Sequence, residues 1–301
     1  MIILMPVYND WTSLDMLISG LDDHFSADTT RILIVNDCST ELIPTTFNCS
    51  IPLEVLHLTQ NLGHQKAIAV GLSYACDNYP GKSILIMDAD GNDLPSDAKL
   101  LADDSLNTHS IILARRTKRN ETRFFRLVYY FYLLSFRILT GRNIRYGNFC
   151  VIPFSQVKKI IHLNNLWLHL PATIIKSKLP YKEVSTSKGK RLDGKSKMSI
   201  PNFFLHGLGA LAVFTDIIAV RILVASVIAI LASLIALIII ISIRLTTDLA
   251  IPGWASSVGS SLVIIMLLSF FISIFLIFIF IFSQSSRKFI PAIHYKDYIA
   301  G

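Results

Sequence analysis

Hydrophobic positions follow two regimes along the chain. In the first half, short apolar runs alternate with segments of helical period, whereas beyond Asp216 long stretches carry no charge. Apolar runs at residues 2–5, 31–35, 53–58, 83–87 and 110–114 predict strands of the usual length, about five or six residues. Between them Leu14, Leu17, Ile18 and Leu21 recur at helical spacing, as do Ala67, Val70, Gly71 and Tyr74. The order β-α-β-β-α-β-α-β predicts an α/β fold with a mostly parallel sheet, and ligands in such sheets sit beyond the carboxyl ends of the strands.

Residues 123–142 change character. Phe124, Phe125, Tyr129, Tyr130, Phe131, Tyr132 and Phe136 crowd one helical stretch, and Arg123, Arg126, Tyr130 and Arg137 form a narrow stripe on it. Such a helix lies at a membrane surface or covers the sheet; the apolar stretches downstream favour the surface. Residues 146–152 predict a strand, followed by two helical segments that break at Asn164 and Asn165 and end near Ser177. A short strand at 182–185 then leads into a basic, glycine-containing loop at 188–197.

Residues 222–243 and 262–282 contain no charged side chain, and the first run would measure roughly 33 Å as a helix. Both predict membrane spans, because buried helices of a soluble core rarely run this long without a polar face. Lys188, Lys190, Arg191, Lys195 and Lys197 precede the first span and Arg287, Lys288 and Lys296 follow the second, while the connection around Pro252 and Trp254 offers only Arg244. The positive-inside tendency therefore places the N-terminal part and the C-terminal tail in the cytoplasm. The first strand begins at once, so no cleavable signal peptide is expected before it.

Composition agrees with this division. Hydrophobic residues make up 52% of the 301, and mean hydropathy is +0.53. The net charge of +7 gathers beside the apolar stretches, which favours anionic lipid over nucleic acid as partner. Cys38, Cys49, Cys76 and Cys150 lack metal-ligand spacing and are expected as reduced packing residues.

The chemistry concentrates where the fourth strand stops, at Asp88, Asp90 and Asp93, with Gly91 letting the backbone turn. Residues two apart on a strand point the same way, so Asp88 and Asp90 aim both carboxylates at one spot, and their mutual repulsion calls for a divalent ion, Mg²⁺ or Mn²⁺, carrying phosphate. The other reading is solvation of a loop and capping of a helix. Polar clusters also follow the first strand, residues 6–10, and the second, residues 36–39. Gly189 and Gly194 among cations suit a loop that closes over phosphates, or else only a positive-inside flank.

In these residues the chain resembles glycosyltransferase family 2, and within it the polyprenyl-phosphate glycosyltransferases similar to dolichol-phosphate mannose synthases and bactoprenol glucosyltransferases. Residues 6–10 look like P-V-Y-N-E, 36–39 like D-D-G-S and 61–71 like N-x-G-x-x-x-A-x-x-x-G. Residues 88–90 match D-x-D, and Arg191 with Gly194, Lys195, Ser196 and Lys197 looks like R-x-x-G-x-S-K. Three departures stand out: Asp10 for Glu, Asn36 for Asp, and Asn148 where many relatives carry Asp.

The resemblance implies a GT-A (Rossmann-like) core at 1–120, an acceptor-side part with interfacial helices at 121–213, a transmembrane hairpin at 214–283 and a cytoplasmic tail at 284–301. It implies inverting, metal-dependent transfer of a hexose from a UDP- or GDP-sugar to a polyprenyl phosphate by a multi-pass cell-membrane enzyme, with homo-oligomers allowed. Pro6, Tyr8, Asp10 and Asp37 would line the base and ribose pocket, and Asp88 and Asp90 would hold the metal. Asp90, Asn148 and Arg191 would act in catalysis, with Arg115, Arg123, Arg126, Lys195, Ser196 and Lys197 near the phosphates. Two alternatives stay open, a saccharide acceptor and an inactive nucleotide-binding scaffold. An ionised lipid phosphate needs orientation more than deprotonation, so Asn148 is compatible with the first reading.

Overall fold

The computed structural model describes residues 1–106, 108–116, 123–193, 200–246, 253–285 and 289–300. They divide into two compact units, the first covering residues 1–137, 142–213 and 288–301, the second residues 138–141 and 214–287.

The first unit is built on a sheet of seven strands: β1 (Ile2–Val7), β2 (Arg31–Asn36), β3 (Leu53–His57), β4 (Ile84–Ile86), β5 (Ile111–Arg116), β6 (Cys150–Ile152) and β7 (Tyr181–Thr186). Their order is β3-β2-β1-β4-β6-β5-β7. Every pairing is parallel except those of β6, which runs antiparallel to β4 and β5. The helices are α1 (Trp11–Asp22), α2 (His64–Asn78), α3 (Pro95–Leu106), α4 (Arg123–Thr140), α5 (Phe154–Ile160), α6 (Leu170–Ser177) and α7 (Ile200–Ala212).

Strand alternation splits the core. Leu4, Leu33 and Val35 face α2, whereas Ile3, Met5, Ile32 and Ile34 face α1 and α3. Burial on both faces explains why the strands read as unbroken apolar runs. The small residues of α2 are needed for close approach: a β-carbon on Gly71 would stand 2.6 Å from Val35 Cγ2 and 2.8 Å from Leu4 Cδ1. These elements form the GT-A-like, mostly parallel sheet expected from the sequence.

Some boundaries differ. The strand predicted over 146–152 begins only at Cys150, because Asn148 leaves the sheet to bond the start of α2. The predicted break at Asn164 and Asn165 opens a 3-10 turn, Asn164–Trp167. Helix α4 turns Phe136 inward, and its Tyr132 packs on Gly207 of α7. Its other side exposes Leu127, Tyr130, Phe131 and Leu134 together with Arg126 and Arg137.

Residues 289–300, within the segment expected as the cytoplasmic tail, belong to this unit. Ile299 bridges Leu58, Thr59 N–H donates to Tyr298 O at 3.0 Å, and Ala300 N–H donates to His57 O at 2.8 Å. Trp167 stacks on Phe289 with centroids 3.8 Å apart, and Tyr295, 3% exposed, donates to Asp77 at 2.7 Å. Helix α10 (Pro291–His294) lies within this segment.

The second unit is a pair of helices, α8 (Thr215–Thr246) and α9 (Trp254–Ser285). Both are long and apolar enough to cross a membrane, and only 11% and 6% of their most apolar windows are buried, unlike core helices of a soluble protein. Ala219, Ser226, Ser233 and Ile240 are the buried positions of α8, a heptad-spaced stripe of mostly small residues that lets helices pack closely. Arg221 donates to the Ile138 carbonyl at 2.6 Å, satisfying an end carbonyl of α4. Pro252, Arg287 and Lys288 lie outside the described residues.

Candidate active site

The carboxyl ends of the parallel strands bring the polar clusters to one edge. After β1, Asp10 sits at the N-cap of α1 without capping it, and instead accepts from Ser13 Oγ at 2.8 Å. After β2, the buried Asp37 accepts Leu62 N–H at 2.7 Å and Gly63 N–H at 2.9 Å. Burial raises its pKa, and the amides oppose that shift. Both its oxygens thus hold the turn that starts α2.

Strand β4 ends at Ile86, so Asp88 and Asp90 lie in a turn beyond it, and strand alternation does not align them as expected. The turn is organised by Asp93, whose Oδ2 accepts Asp88 N–H at 3.1 Å and whose Oδ1 pairs with Arg116 at 2.7 Å. Burial, then the charge of Asp88, pushes the Asp93 carboxyl up to about 6. Asp90 accepts Asn92 N–H at 2.9 Å.

Residues 188–193 close over this turn. Gly189 N–H donates to Asn92 O at 2.9 Å, Leu192 N–H donates to Asp90 O at 3.1 Å, and the Leu192 side chain covers Gly91, which has φ +81°. Arg191 bridges the ends of two strands, pairing through Nη2 with Asp10 and through Nη1 with Asp90 at 3.1 Å. A planar guanidinium with two donor edges suits that bridge and equally suits phosphate oxygens.

A second wall is polar and directional. Leu170 N–H donates to Gln65 Oε1 at 2.8 Å, so Gln65 Nε2 donates to Asn148 Oδ1 at 2.9 Å, and Asn148 Nδ2 faces His64 Nε2 at 2.9 Å as donor. The same His64 nitrogen lies 3.2 Å from Asp88 Oδ1. Burial lowers the imidazole's pKa, but Asp88 more than offsets that and raises it. While Nε2 accepts from Asn148, Asp88 Oδ1 is buried without a hydrogen-bond donor.

An orphaned buried carboxylate oxygen beside a second carboxylate fits a divalent cation. Among the described residues no three metal-ligating side chains cluster, so such an ion would have few protein ligands and open positions for phosphate.

The remaining expected residues are scattered. Pro6 is buried within β1, and Tyr8 is 42% exposed. Arg115 pairs with Glu183 of β7 at 3.1 Å, while its neighbour Arg116, on the opposite face of β5, enters the acidic turn. Arg126 is exposed on α4. The Arg123 side chain and residues Gly194, Lys195, Ser196 and Lys197 lie outside the described residues. Arg116, His64 and Gln65 had not been singled out. Alternation along β5 would have separated Arg115 from Arg116, but not said which face meets the site.

Solved structures of low identity superpose on the chain. S. aureus TarS 1-349 superposes with a TM-score of 0.45 at 16% identity over 74% of this chain, which spans 65% of that structure and 39% of the longer TarS structure. Glucosyl-3-phosphoglycerate synthase from Mycobacterium tuberculosis superposes with a TM-score of 0.51 at 11% identity, covering 72% of this chain and 78% of that one; that structure is a complex with Mg²⁺ and uridine diphosphate. Another of its structures, with Mn²⁺, uridine diphosphate and glucosyl-3-phosphoglycerate, superposes at 0.52. None of the curated proteins compared matches the chain. Residues 2–161, more than half of the chain and including the acidic ends of β1, β2 and β4 and the wall of His64, Gln65 and Asn148, match the family described as Glycosyl transferase family 2. The chain belongs to glycosyl transferase family 2.

Proposed function

We propose that this glycosyltransferase moves a hexose from a nucleoside-diphosphate sugar to a polyprenyl phosphate at the cytoplasmic face of the cell membrane, inverting the anomeric centre. The observation that carries the proposal is Arg191, which reaches Asp10 and Asp90 from the basic loop preceding the apolar helices. A cationic loop closed over the acidic turn answers a need to neutralise two phosphate-bearing substrates. Further support comes from α4, whose exposed Leu127, Tyr130 and Phe131 accompany Arg126 and Arg137 as at a lipid surface. The docking of residues 289–300 on the first unit favours an even number of crossings between α8 and α9, hence a hairpin with both ends on one side.

Asp88 and Asp90 would hold Mg²⁺ or Mn²⁺, which when bound stabilises the departing diphosphate. The Mg²⁺ and uridine diphosphate bound by the Mycobacterium tuberculosis enzyme favour such an ion and a uridine nucleotide here. Tyr8 and Asp10 would meet the nucleoside. Arg116 and Arg191 balance the acidic turn and bind phosphate oxygens. Asn148 supplies no base. Its amide holds His64 beside Asp88, and the acceptor oxygen, from a phosphate with a second pKa of about 6, is already ionised at neutral pH.

Membranes containing the protein, incubated with a panel of radiolabelled nucleotide sugars, Mg²⁺ or Mn²⁺ and polyprenyl phosphate, test this reading. Organic-extractable, β-linked product from an α-linked donor, abolished by Asp90→Asn, is expected. Label found only in water-soluble saccharide, an α-linked product, or transfer that survives chelation would overturn it.

A further inference from the structure

A pair of histidines beside the acidic turn has a defined proton arrangement. His169, buried at the N-cap of α6, accepts Ala172 N–H on Nδ1 at 3.2 Å, so the neutral ring carries its proton on Nε2. That nitrogen lies 3.1 Å from Nε2 of His206 on α7. His169 must donate and His206 accept, which leaves the His206 proton on Nδ1. His206 Nδ1 makes no hydrogen bond to another described residue and is not among the buried polar atoms lacking a partner. The geometry points to His206 as a fixed, neutral hydrogen-bond donor for an ionised phosphate oxygen of the acceptor, with His169 as the residue that locks its tautomer.

Location supports this assignment. The amide of Leu170, next to His169, is held by Gln65, and Gln65 holds Asn148, which holds His64. His206 feels the charges of both His64 and Asp88, so the pair belongs to the same wall. Burial, then His206, pushes His169 down to about 3, which keeps the pair neutral. A cation here would be captured by Asp88, whereas a neutral donor can serve a ligand anion without competing for the carboxylate. The donor diphosphate offers the same oxyanion chemistry. The acceptor is favoured because α7, the helix that carries His206, exposes Phe204, Leu205 and Leu208 and leads into the apolar α8, as a lipid-tailed phosphate requires.

The inference rests on the polyprenyl-phosphate reading, and steady-state kinetics of the full-length protein in lipid nanodiscs separates the two. His206→Phe should raise KM for polyprenyl phosphate about tenfold or more without a matching rise in donor KM. His206→Asn, which can still accept from His169 and donate outward, should recover most of the loss. Phe leaves the His169 proton unpaired, so folding is followed by thermal unfolding. If that variant unfolds, the double variant His169→Leu, His206→Leu removes both partners and must show the same split. Unchanged acceptor KM, a rise confined to donor KM, or His206→Asn as impaired as His206→Phe would overturn the inference. Wild type active on a saccharide but not on polyprenyl phosphate would overturn the acceptor reading, and this inference with it.

Discussion

Gly189 rests on Gly91: a β-carbon at Gly189 would fall inside contact distance of the Gly91 carbonyl oxygen and 2.9 Å from Leu94 Cδ2. The nearest obstacle is backbone and cannot rotate away, so Gly189→Ala must lift the loop that carries Arg191. Transfer should fall roughly ten- to a hundredfold, the scale set by ångström misplacement of a catalytic group. Gly147→Ala, whose β-carbon meets nothing within 4 Å, is the control and should leave turnover unchanged. Equal activity of the two variants would remove the loop from the site.

Arg191 joins Asp10 and Asp90 through separate guanidinium nitrogens, a bridge that a lysine ammonium cannot span. Arg191→Lys should therefore lose more than about tenfold in kcat/KM although charge is kept. Adding Asp10→Asn to that variant should cost less than it does in wild type, because the two groups share one interaction. Strict additivity in this cycle would argue that the pair does not act together.

Cys38 holds φ +56° in the loop after β2, a left-handed conformation that costs a side-chain-bearing residue roughly 1–2 kcal/mol. Glycine removes that strain but adds about 0.5–1 kcal/mol of unfolded-chain entropy. Cys38→Gly should thus stabilise the protein by up to about 1.5 kcal/mol in denaturant unfolding, whereas Cys38→Ala should not.

His169 titrates near about 3 in the folded protein against an ordinary value of 6.5. The unfolded chain therefore binds the extra proton between these values, and stability rises with pH across that window by at most about 1.4 kcal/mol per unit. It is fully present above 6.5 and lost as pH falls toward 3. Unfolding of the detergent-solubilised protein at pH 4.5 and 7.5, which are conditions of about the right span, should show a smaller difference for His169→Gln than for wild type.

Tyr295 anchors residues 289–300 from a buried position through its hydroxyl bond to Asp77. Tyr295→Ala should cost about 3–5 kcal/mol, the range for truncating a large buried ring, and expose the segment to limited proteolysis. Tyr295→Phe keeps the packing and should cost only about 0.5–1.5 kcal/mol. Protease resistance in the alanine variant would mean that Trp167 and Phe289 suffice.

Much of the molecule was legible locally. The strands before β6, the helix at Ala67 and Gly71, and the two apolar helices follow from the local pattern, because the burial of one face, or a long run without a polar face, is written in each segment separately. The acidic turn was legible for the same reason: an apolar run that stops before Asp88 delivers it to the sheet's edge, although β4 itself ends at Ile86. Pairings between distant segments were not legible. Nothing local tells that Arg116 and not Arg115 meets Asp93, that β6 inserts antiparallel between β4 and β5, or that Tyr295 returns to Asp77. The same holds for His169 and His206, ordinary helix residues in the sequence, whose tautomers are set by one backbone amide and one ring contact. The sequence by itself determined which segments hide from water and where the carboxylates fall along them. Only the tertiary structure decided which hydrogen-bond partners those groups meet, because burial is a property of one segment's pattern while a directional bond depends on the relative placement of two.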